Sequence, residues 1–471
     1  MKLRGAAEGS VEKLRSAQDP GAGRNTGRKI MGAASAASPR GEATGQGTGL
    51  IEQMIARENL NLAWKKVRRN KGAAGVDGLD IETTMSLIRE NWQPIETQLL
   101  AGNYVPAPVR RVEIEKASGG TRKLGVPTVL DRFIQQAMHQ VLSPLFEAHF
   151  SEHSYGFRPG RSAHQAVCAA RAHQRKGKQW VVDIDLASFF DEVNHDLLIA
   201  KVRRRVKDVR MIKLIRAYLS AGVMIGGLSQ PTVKGTPQGG PLSPLLSNIL
   251  LDVLDQELES RGHAFCRYAD DCNIYVGSRR SGERVMDSLT GVLEGKLKLK
   301  VNREKSAVDR PVNRVFLGYS FTIHRETKIR VPEKTCRRMR DKLKERFQAG
   351  RGQNLEKFIH QTLNPLLRGW MNYFRLSETK GFAEKLDSWI RRRLRCILWR
   401  QWKRPATRFK RLVAQGLETV RAHASASNGR GAWFNSGASH MHAAFPSKAF
   451  EKMGLINLLD MLKSAQVKSS V

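Results

Sequence analysis

Asp270 and Asp271 stand side by side within Cys266-Arg267-Tyr268-Ala269-Asp270-Asp271-Cys272-Asn273-Ile274-Tyr275-Val276, between two short runs of β-forming residues. That pattern predicts a strand–turn–strand hairpin with carboxylates at its tip. Adjacent like charges repel, and a divalent cation offsets the repulsion: hard carboxylate oxygens suit Mg²⁺, which commonly takes one or two carboxylates together with substrate phosphates. An Asp-Asp pair by itself is more often a solvated polar turn. A second acidic element weighs against that reading. Along Trp180-Val181-Val182-Asp183-Ile184-Asp185-Leu186 the period of two puts Val182, Ile184 and Leu186 on one face and Asp183 and Asp185 on the other. Carboxylates on an apolar strand are costly to bury unless paired or bound to metal.

Several basic or glycine-rich stretches could serve a phosphate-bearing ligand. Val109–Ile114 alternates like a strand and returns through a Gly-Gly turn into Leu124-Gly125-Val126-Pro127, with Lys116, Arg122 and Lys123 near the tip. There an Arg fork and a Lys point charge would suit a triphosphate, although a solvated basic turn reads the same. Tyr155-Gly156-Phe157-Arg158-Pro159-Gly160-Arg161-Ser162 interleaves aromatic and guanidinium groups, which could stack on bases and clamp phosphates; a structural turn would look alike. Gly235-Thr236-Pro237-Gln238-Gly239-Gly240-Pro241-Leu242-Ser243-Pro244 runs into an apolar helix. Its glycines permit close backbone approach to a ligand, and Gln238 offers both donor and acceptor. Lys201-Val202-Arg203-Arg204-Arg205 and Lys207 fit phosphate contact at least as well as a solvated face. Between Ser388 and Arg411 ten Lys or Arg residues, among them Arg391, Arg392, Arg393, Arg395, Arg400 and Lys403, stand without an acid and interleave with Trp389, Trp399 and Trp402. Aromatics at helical spacing are more often core, while the arginines around them match an RNA-binding face.

The elements that must hold these groups follow from periodicity. Residues 51–72 read as one basic helix, Thr83–Ala101 as a second, and Asp131–His149 as a third with Phe133, Ile134, Ala137, Met138, Val141 and Leu142 facing a core. A helix near Gly282–Lys296 follows the Asp-Asp hairpin, Val315–Phe321 reads as a strand with a Gly bend, and the helices Glu333–Gln348, Leu355–Phe374 and Phe382–Trp402 come after it. Residues 1–50 are rich in Gly, Ala and Ser and have few large apolar side chains before Leu50, so a disordered basic arm is expected.

The 471 residues carry 80 Lys+Arg against 44 Asp+Glu, a net charge of +36, which points to a polyanionic partner, nucleic acid first, in a chain of two or three domains. No run of about eighteen apolar residues exists, and no amphipathic anchor supports a membrane role. Cys168, Cys266, Cys272, Cys336 and Cys396 form no Cys-x-x-Cys pair, so neither a disulfide framework nor structural zinc is expected, in keeping with a reducing cytosol. His440 and His442 lack Cys or acidic partners at ligand spacing and read as non-metal.

Taken in order, the basic hairpin, Tyr155–Ser162, Asp185-x-x-x-Phe189-Phe190-Asp191, Pro237–Pro244, Tyr268-Ala269-Asp270-Asp271 and Phe316-Leu317-Gly318-Tyr319 make the chain, from about residue 51 to its C-terminus, resemble a reverse transcriptase of the group II intron-encoded type. The resemblance implies an α+β right-hand polymerase (fingers, a palm with an antiparallel sheet, a helical thumb) followed by a helical maturase (X) domain, to which Leu366–Phe374 is similar. The expected divisions are an arm over 1–50, fingers and palm over 51–325, thumb and X domain over 326–420, and a C-terminal extension over 421–471. By motif, Asp185, Asp270 and Asp271 become the catalytic carboxylates and the ligands of two Mg²⁺ ions, one lowering the pKa of a primer 3′-hydroxyl and the other holding the triphosphate. Asp183 falls outside the motif and reads as a supporting residue. Lys116 and Arg122 correspond to a grip on the incoming phosphates, Gln238 and Gly239 to the loop beside the nucleotide, and Phe190 to the sugar-discriminating side chain. Lys305 could donate a proton to pyrophosphate, and Phe316, Leu317, Gly318 and Tyr319 resemble the primer grip. Arg158, Arg161, Arg203 and Arg204 join the arginines of 391–400 and Lys403 as expected RNA contacts.

The activity so implied is RNA-directed DNA synthesis from deoxynucleoside triphosphates on an RNA template with a DNA primer. Group II intron RNA would be bound as a splicing cofactor, with a DNA target for intron mobility, in the bacterial cytoplasm; a homodimer is compatible with this. Many relatives add an HNH nuclease with paired cysteines; no such pairs occur up to Val471, so a member without that domain is expected, priming from another source such as a nascent strand at a replication fork. Two alternatives stay open on sequence alone: a splicing factor whose polymerisation is incidental, and a domesticated polymerase of DNA repair or phage defence.

Overall fold

The computed structural model describes residues 49–115, 121–225, 228–230, 234–236, 239–322 and 326–468. Residues 1–48 of the expected arm, Lys116 and Gln238 lie outside these, as does the side chain of Arg122, while Leu50, the last residue of that arm, opens a helix. The chain divides into two compact units, one formed by residues up to 170 with 180–308, the other by 171–179 with the residues from 309 onward.

The strands in chain order are β1 (Val109–Glu115), β2 (Thr121–Val126), β3 (Trp180–Ile184), β4 (Val223–Ile225), β5 (Leu228–Gln230), β6 (Ala264–Tyr268), β7 (Asp271–Val276), β8 (Ala307–Asp309), β9 (Ser320–Phe321) and β10 (Ile329–Arg330). They form two four-stranded sheets, ordered β2-β1-β4-β5 and β6-β7-β3-β8, and a β10-β9 pair.

In the first unit the helix Val129–Glu147 starts at Thr128, whose hydroxyl caps the Asp131 amide at 3.0 Å, the stabilising N-cap arrangement. Its apolar stripe (Phe133, Ile134, Met138, Leu142) shares one core with Leu246, Ile249 and Leu250 of helix Ser243–Ser260 and with Ile184 and Ile274 of the second sheet. Trp64 and Trp92 close over Phe133 edge-on, at 5.7 and 6.1 Å between ring centroids. The helix expected over 51–72 is instead two, Leu50–Ile55 and Arg57–Asn70, parted by Ala56 in extended conformation. Asn59 Nδ2 donates to the Met54 carbonyl at 2.7 Å, which satisfies an acceptor the break would leave open. Helix Ile81–Ala101 kinks at Asn91, ahead of Pro94, because Pro has no N–H to continue the ladder.

Helix Arg279–Gly295 lies against β3 and β7. It approaches closely at Gly282, where a Cβ would sit 2.5 Å from Val308 Cγ1 and 3.4 Å from Val182 and Val276.

Among its described residues the second unit is mainly helical and contains the β10-β9 pair. Helices Glu333–Ala349, Asn364–Tyr373 and Gly381–Gln401 enclose Leu343, Leu363, Leu367, Ile390 and Trp399, and the same core contains Phe445, Phe450, Leu458 and Leu462. The stretch expected as one helix over 355–374 carries a π-helical turn at Ile359–Leu363. The Asp387 carboxylate accepts from the Leu458 and Leu459 amides, each at 3.1 Å, and so caps the last helix, Leu458–Lys468. The C-terminal residues are thereby part of the unit's core.

Candidate active site

The carboxylates meet at one end of the β6-β7-β3 ladder. Asp183 pairs with Asn273 and Ile184 with Cys272; one step further in the same register sets Asp185 across from Asp271. Asp185 has its backbone fixed on both sides: its amide donates to Ser306 Oγ at 3.0 Å and its carbonyl accepts from the Asn302 amide at 2.8 Å, while the Ala187 amide donates to the Lys300 carbonyl at 2.8 Å. Across the hairpin, Tyr268 pairs with Asp271, which leaves Ala269 and Asp270 as a two-residue turn. Ala269 adopts φ +56°, a conformation hairpin turns of this length require. Asn273, with its amide turned so that Nδ2 faces the carboxylate, donates to Asp183 Oδ1 at 3.0 Å. Asp183 is thus held from the strand beside it.

The electrostatics fit a cation. Asp271 keeps solvent access, yet the protein packed around it strips part of its hydration, and the carboxylates of Asp270, Asp183 and Asp185 repel its charge. Together these push it up from the ordinary carboxylate range to about 7. Lys305 Nζ lies 3.8 Å from Asp185 Oδ1 with both side chains open to water, a weak pairing. Among the described residues no three or more His, Cys, Asp or Glu side chains converge into a ready-made metal cage. Carboxylates coupled by charge in this way suit a hard divalent cation, whose ligands are oxygens.

Other expected site residues divide sharply. Arg158 is buried, its Nε donating to Glu147 Oε1 at 2.9 Å and its Nη1 to the Ser154 carbonyl at 2.8 Å and to the Ser151 carbonyl. It ties its own loop together, and the expected RNA contact is corrected. The same loop runs against the hairpin: the Tyr155 amide donates to the Arg267 carbonyl at 2.8 Å and the Arg267 amide to the His153 carbonyl at 2.9 Å. Arg161 stays near the surface, paired with Glu152 and 5.8 Å from the Tyr155 ring. Arg395 is buried as well, donating to the Phe445 carbonyl at 3.0 Å and packing 5.7 Å from the Phe450 ring. It secures the C-terminal residues, which corrects its expected place on an RNA face. Arg203, Arg204, Arg400 and Lys403 are exposed and Arg391 half-buried; Arg392 and Arg393 lie 4.1 and 4.7 Å from the ring of Trp433. Trp399 and Trp402 are core residues.

Two glycines of the Gly/Pro-rich loop lie close against backbone within the protein. At Gly239 (φ +132°) a Cβ would lie 2.7 Å from the Gly125 carbonyl oxygen, and at Gly235 (φ +98°) 3.0 Å from the carbonyls of Phe190 and Asp191. Phe190 is half-buried with its ring edge-on to Phe189 at 5.1 Å, and its carbonyl accepts from the Thr236 amide at 2.7 Å.

In the second unit, Phe316-Leu317-Gly318-Tyr319 is a tight turn, where a strand was expected. Amide-to-carbonyl bonds of 2.9 Å run both ways between Phe316 and Tyr319, with φ +50° and +78° at Leu317 and Gly318, the signature of a type I′ turn. Tyr373 Oη donates to the Leu317 carbonyl at 2.9 Å.

Sequence reasoning passed over Ser306, Asn302 and Asn273. Asn273 lies in the hairpin, but its partner Asp183 arrives on β3 from a distant part of the chain, so the contact had no local signal; Ser306 carried no signal beyond its place after Lys305.

A family model described as "Reverse transcriptase (RNA-dependent DNA polymerase)" matches residues 114–321, and one described as "Group II intron, maturase-specific domain" matches residues 336–416. Protein YkfC of Escherichia coli (strain K12) is 36% identical over 313 residues, 57% of this chain and 82% of YkfC. The group II intron-encoded protein LtrA of Lactococcus lactis subsp. cremoris is 29% identical over 359 residues, 62% of this chain and 59% of LtrA. With a polymerase domain and a maturase domain in this order, the chain belongs to the group II intron-encoded reverse transcriptases, RNA-directed DNA polymerases that carry a splicing maturase region.

Proposed function

We propose that Asp185, Asp270 and Asp271 carry RNA-directed DNA synthesis, and that the exposed basic side chains hold the intron RNA whose splicing and mobility the protein serves. The observation that supports this most is the meeting of the three carboxylates at one end of the β6-β7-β3 ladder, where crowding of negative charge pushes Asp271 up to about 7. Mg²⁺ held by these carboxylates would neutralise charge at the reacting phosphate and at the attacking oxygen. The chain's own groups supply the frame. Ser306 and the 300–302 backbone keep Asp185 in place, and Lys305 stands beside it, placed to hold or give a proton to a phosphate oxygen. Phe190, fixed through its carbonyl to Thr236, is assigned to the nucleotide sugar. Lys116 and Arg122 are assigned to the triphosphate, Gln238 and Gly239 to the incoming nucleotide, and Phe316–Tyr319 to the primer. Fingers and palm span 51–325, thumb and X domain 326–420, with 421–471 completing the RNA-binding region; the setting is the bacterial cytoplasm, with a DNA target and a DNA primer on an RNA template.

Asp270→Asn is expected to abolish Mg²⁺-dependent cDNA synthesis while leaving intron RNA affinity within about threefold, since contact with phosphates rests on basic residues. Synthesis retained by that variant would overturn the carboxylate assignment. An in vitro splicing assay at low Mg²⁺ with the same variant separates the roles, because RNA binding needs no carboxylates.

A further inference from the structure

The side chains of Arg267 on β6 and Asp255 are both fully buried, and four of the five guanidinium N–H groups of Arg267 are committed. Nε and Nη2 donate to Asp255 Oδ1 and Oδ2 at 2.7 and 2.5 Å; Nη1 donates to Asn248 Oδ1 at 3.0 Å and to the Ala269 carbonyl at 2.9 Å. Asp255 and Asn248 both project from helix Ser243–Ser260, which is anchored in the core of the unit. Asn248 also donates from Nδ2 to the Gly156 carbonyl at 2.8 Å, and Gly156 lies close against the turn, where any Cβ would collide with the Ala269 amide.

An enclosed ion pair of this kind adds little net stability over apolar residues of the same shape. What the fork adds is direction. Ala269 sits at φ +56°, a conformation a non-glycine residue holds only when its surroundings impose it. Its carbonyl belongs to the peptide that leads into Asp270, so a guanidinium pinned to a rigid helix and bonded to that oxygen sets the plane of the peptide. Gly156 crowds the Ala269 amide from the neighbouring loop. The direction in which Asp270 leaves the turn is fixed by both.

We infer that Arg267, oriented by Asp255 and Asn248, is a positioning residue that presents Asp270 to the metal; this rests on the assignment of Asp270 as a metal-binding carboxylate. Arg267→Lys keeps the charge but has no fork with which to hold Asp255 in two places and reach Ala269 as well. Asn248→Ala keeps the ion pair and removes one partner of Nη1 together with the tether on Gly156. Metal affinity is read directly, by electron paramagnetic resonance of bound Mn²⁺ in the full chain, beside the Mg²⁺ concentration for half-maximal DNA synthesis and intron RNA affinity. For Arg267→Lys the Mn²⁺ Kd and the Mg²⁺ requirement are expected to rise by about 10- to 100-fold, the usual cost of losing support behind a metal ligand. Excess metal should recover rate, and RNA affinity should stay unchanged. Asn248→Ala should move the same two quantities in the same direction by less.

Asp270→Asn serves as the reference. If it loses Mn²⁺ while folded Arg267→Lys and Asn248→Ala bind Mn²⁺ like the parent protein, the role of Arg267 is overturned and the carboxylate assignment stands. If Asp270→Asn itself binds Mn²⁺ normally, the carboxylate assignment fails and the role of Arg267 with it. Should Arg267→Lys not fold, Asn248→Ala decides alone: weakened Mn²⁺ binding supports the positioning role and unchanged binding overturns it.

Discussion

Asp271 should give the active site a pH signature separable from the rest of the molecule. In the unfolded chain its carboxyl titrates near the ordinary value of 3.8; in the folded chain, burial and three neighbouring carboxylates push it up to about 7. Between those pH values the folded protein binds a proton that the unfolded chain has released, so the stability this group contributes is present at low pH and lost as pH rises toward 7. A metal ion competes with that proton. The rise in Tm produced by Mg²⁺ is therefore expected to be small at about pH 5.5 and to reach a plateau above about pH 7.5. Asp271→Asn should abolish that pH dependence in a thermal-shift series run against the parent protein, and a Mg²⁺ response equal at both pH values in the parent would contradict the assignment. The carboxylates themselves were legible in the sequence because strand period and turn length are local properties. The raised titration of Asp271 was not, since it depends on Asp183 and Asp185 arriving from a distant strand.

At the scale of elements, the Phe316–Tyr319 turn holds a non-glycine residue in the left-handed region, Leu317 at φ +50°. That conformation costs a residue such as Leu about 1 to 2 kcal/mol, and Asn tolerates it better. Leu317→Asn is expected to raise the stability of the second unit by about 1 kcal/mol, visible in Tm, while primer extension falls, because strain that persists in a turn is characteristic of sites kept for function. Unchanged primer extension with a raised Tm would remove this turn from the primer-binding assignment. The sequence reading made it a strand because its β-formers matched a strand; two successive positive φ values are not visible in residue type when only the second residue is Gly. The same reason accounts for other misreadings. Ala56 carries no break signal, yet it separates two helices. Tyr155–Arg158 looked like a nucleic-acid loop because the strand it buttresses, β6, lies far along the chain. The long helices and the Asp-Asp hairpin, whose apolar periods are regular and whose ends carry turn residues, were read close to their observed bounds.

On the scale of the whole molecule, the second unit combines two uses of basic residues that composition cannot tell apart. Phe450 is fully buried in the core that also holds Leu343, Leu367 and Trp399, so Phe450→Ala should destabilise the unit by about 3 to 5 kcal/mol, measurable by denaturant unfolding, and truncation after residue 420 should leave it unable to fold. Arg395 belongs to the same assembly: burial lowers its pKa to about 10, and it donates to the Phe445 carbonyl. Arg400, Lys403 and Arg404 point the other way, into solvent. If these three neutralise phosphates of a bound RNA, each contributes close to one unit to the slope of log affinity against log salt. Replacing all three by Gln should flatten that slope by about two to three units with Tm nearly unchanged. Arg395→Gln should do the reverse, lowering Tm through loss of a buried hydrogen bond while leaving the slope of the folded fraction as it was. Intron RNA titrations at several salt concentrations, beside thermal unfolding of the same two variants, distinguish the assignments. Equal slopes in the triple variant and the parent protein would mean that this exposed face is only solvated, and that the RNA is held elsewhere on the chain's positive surface.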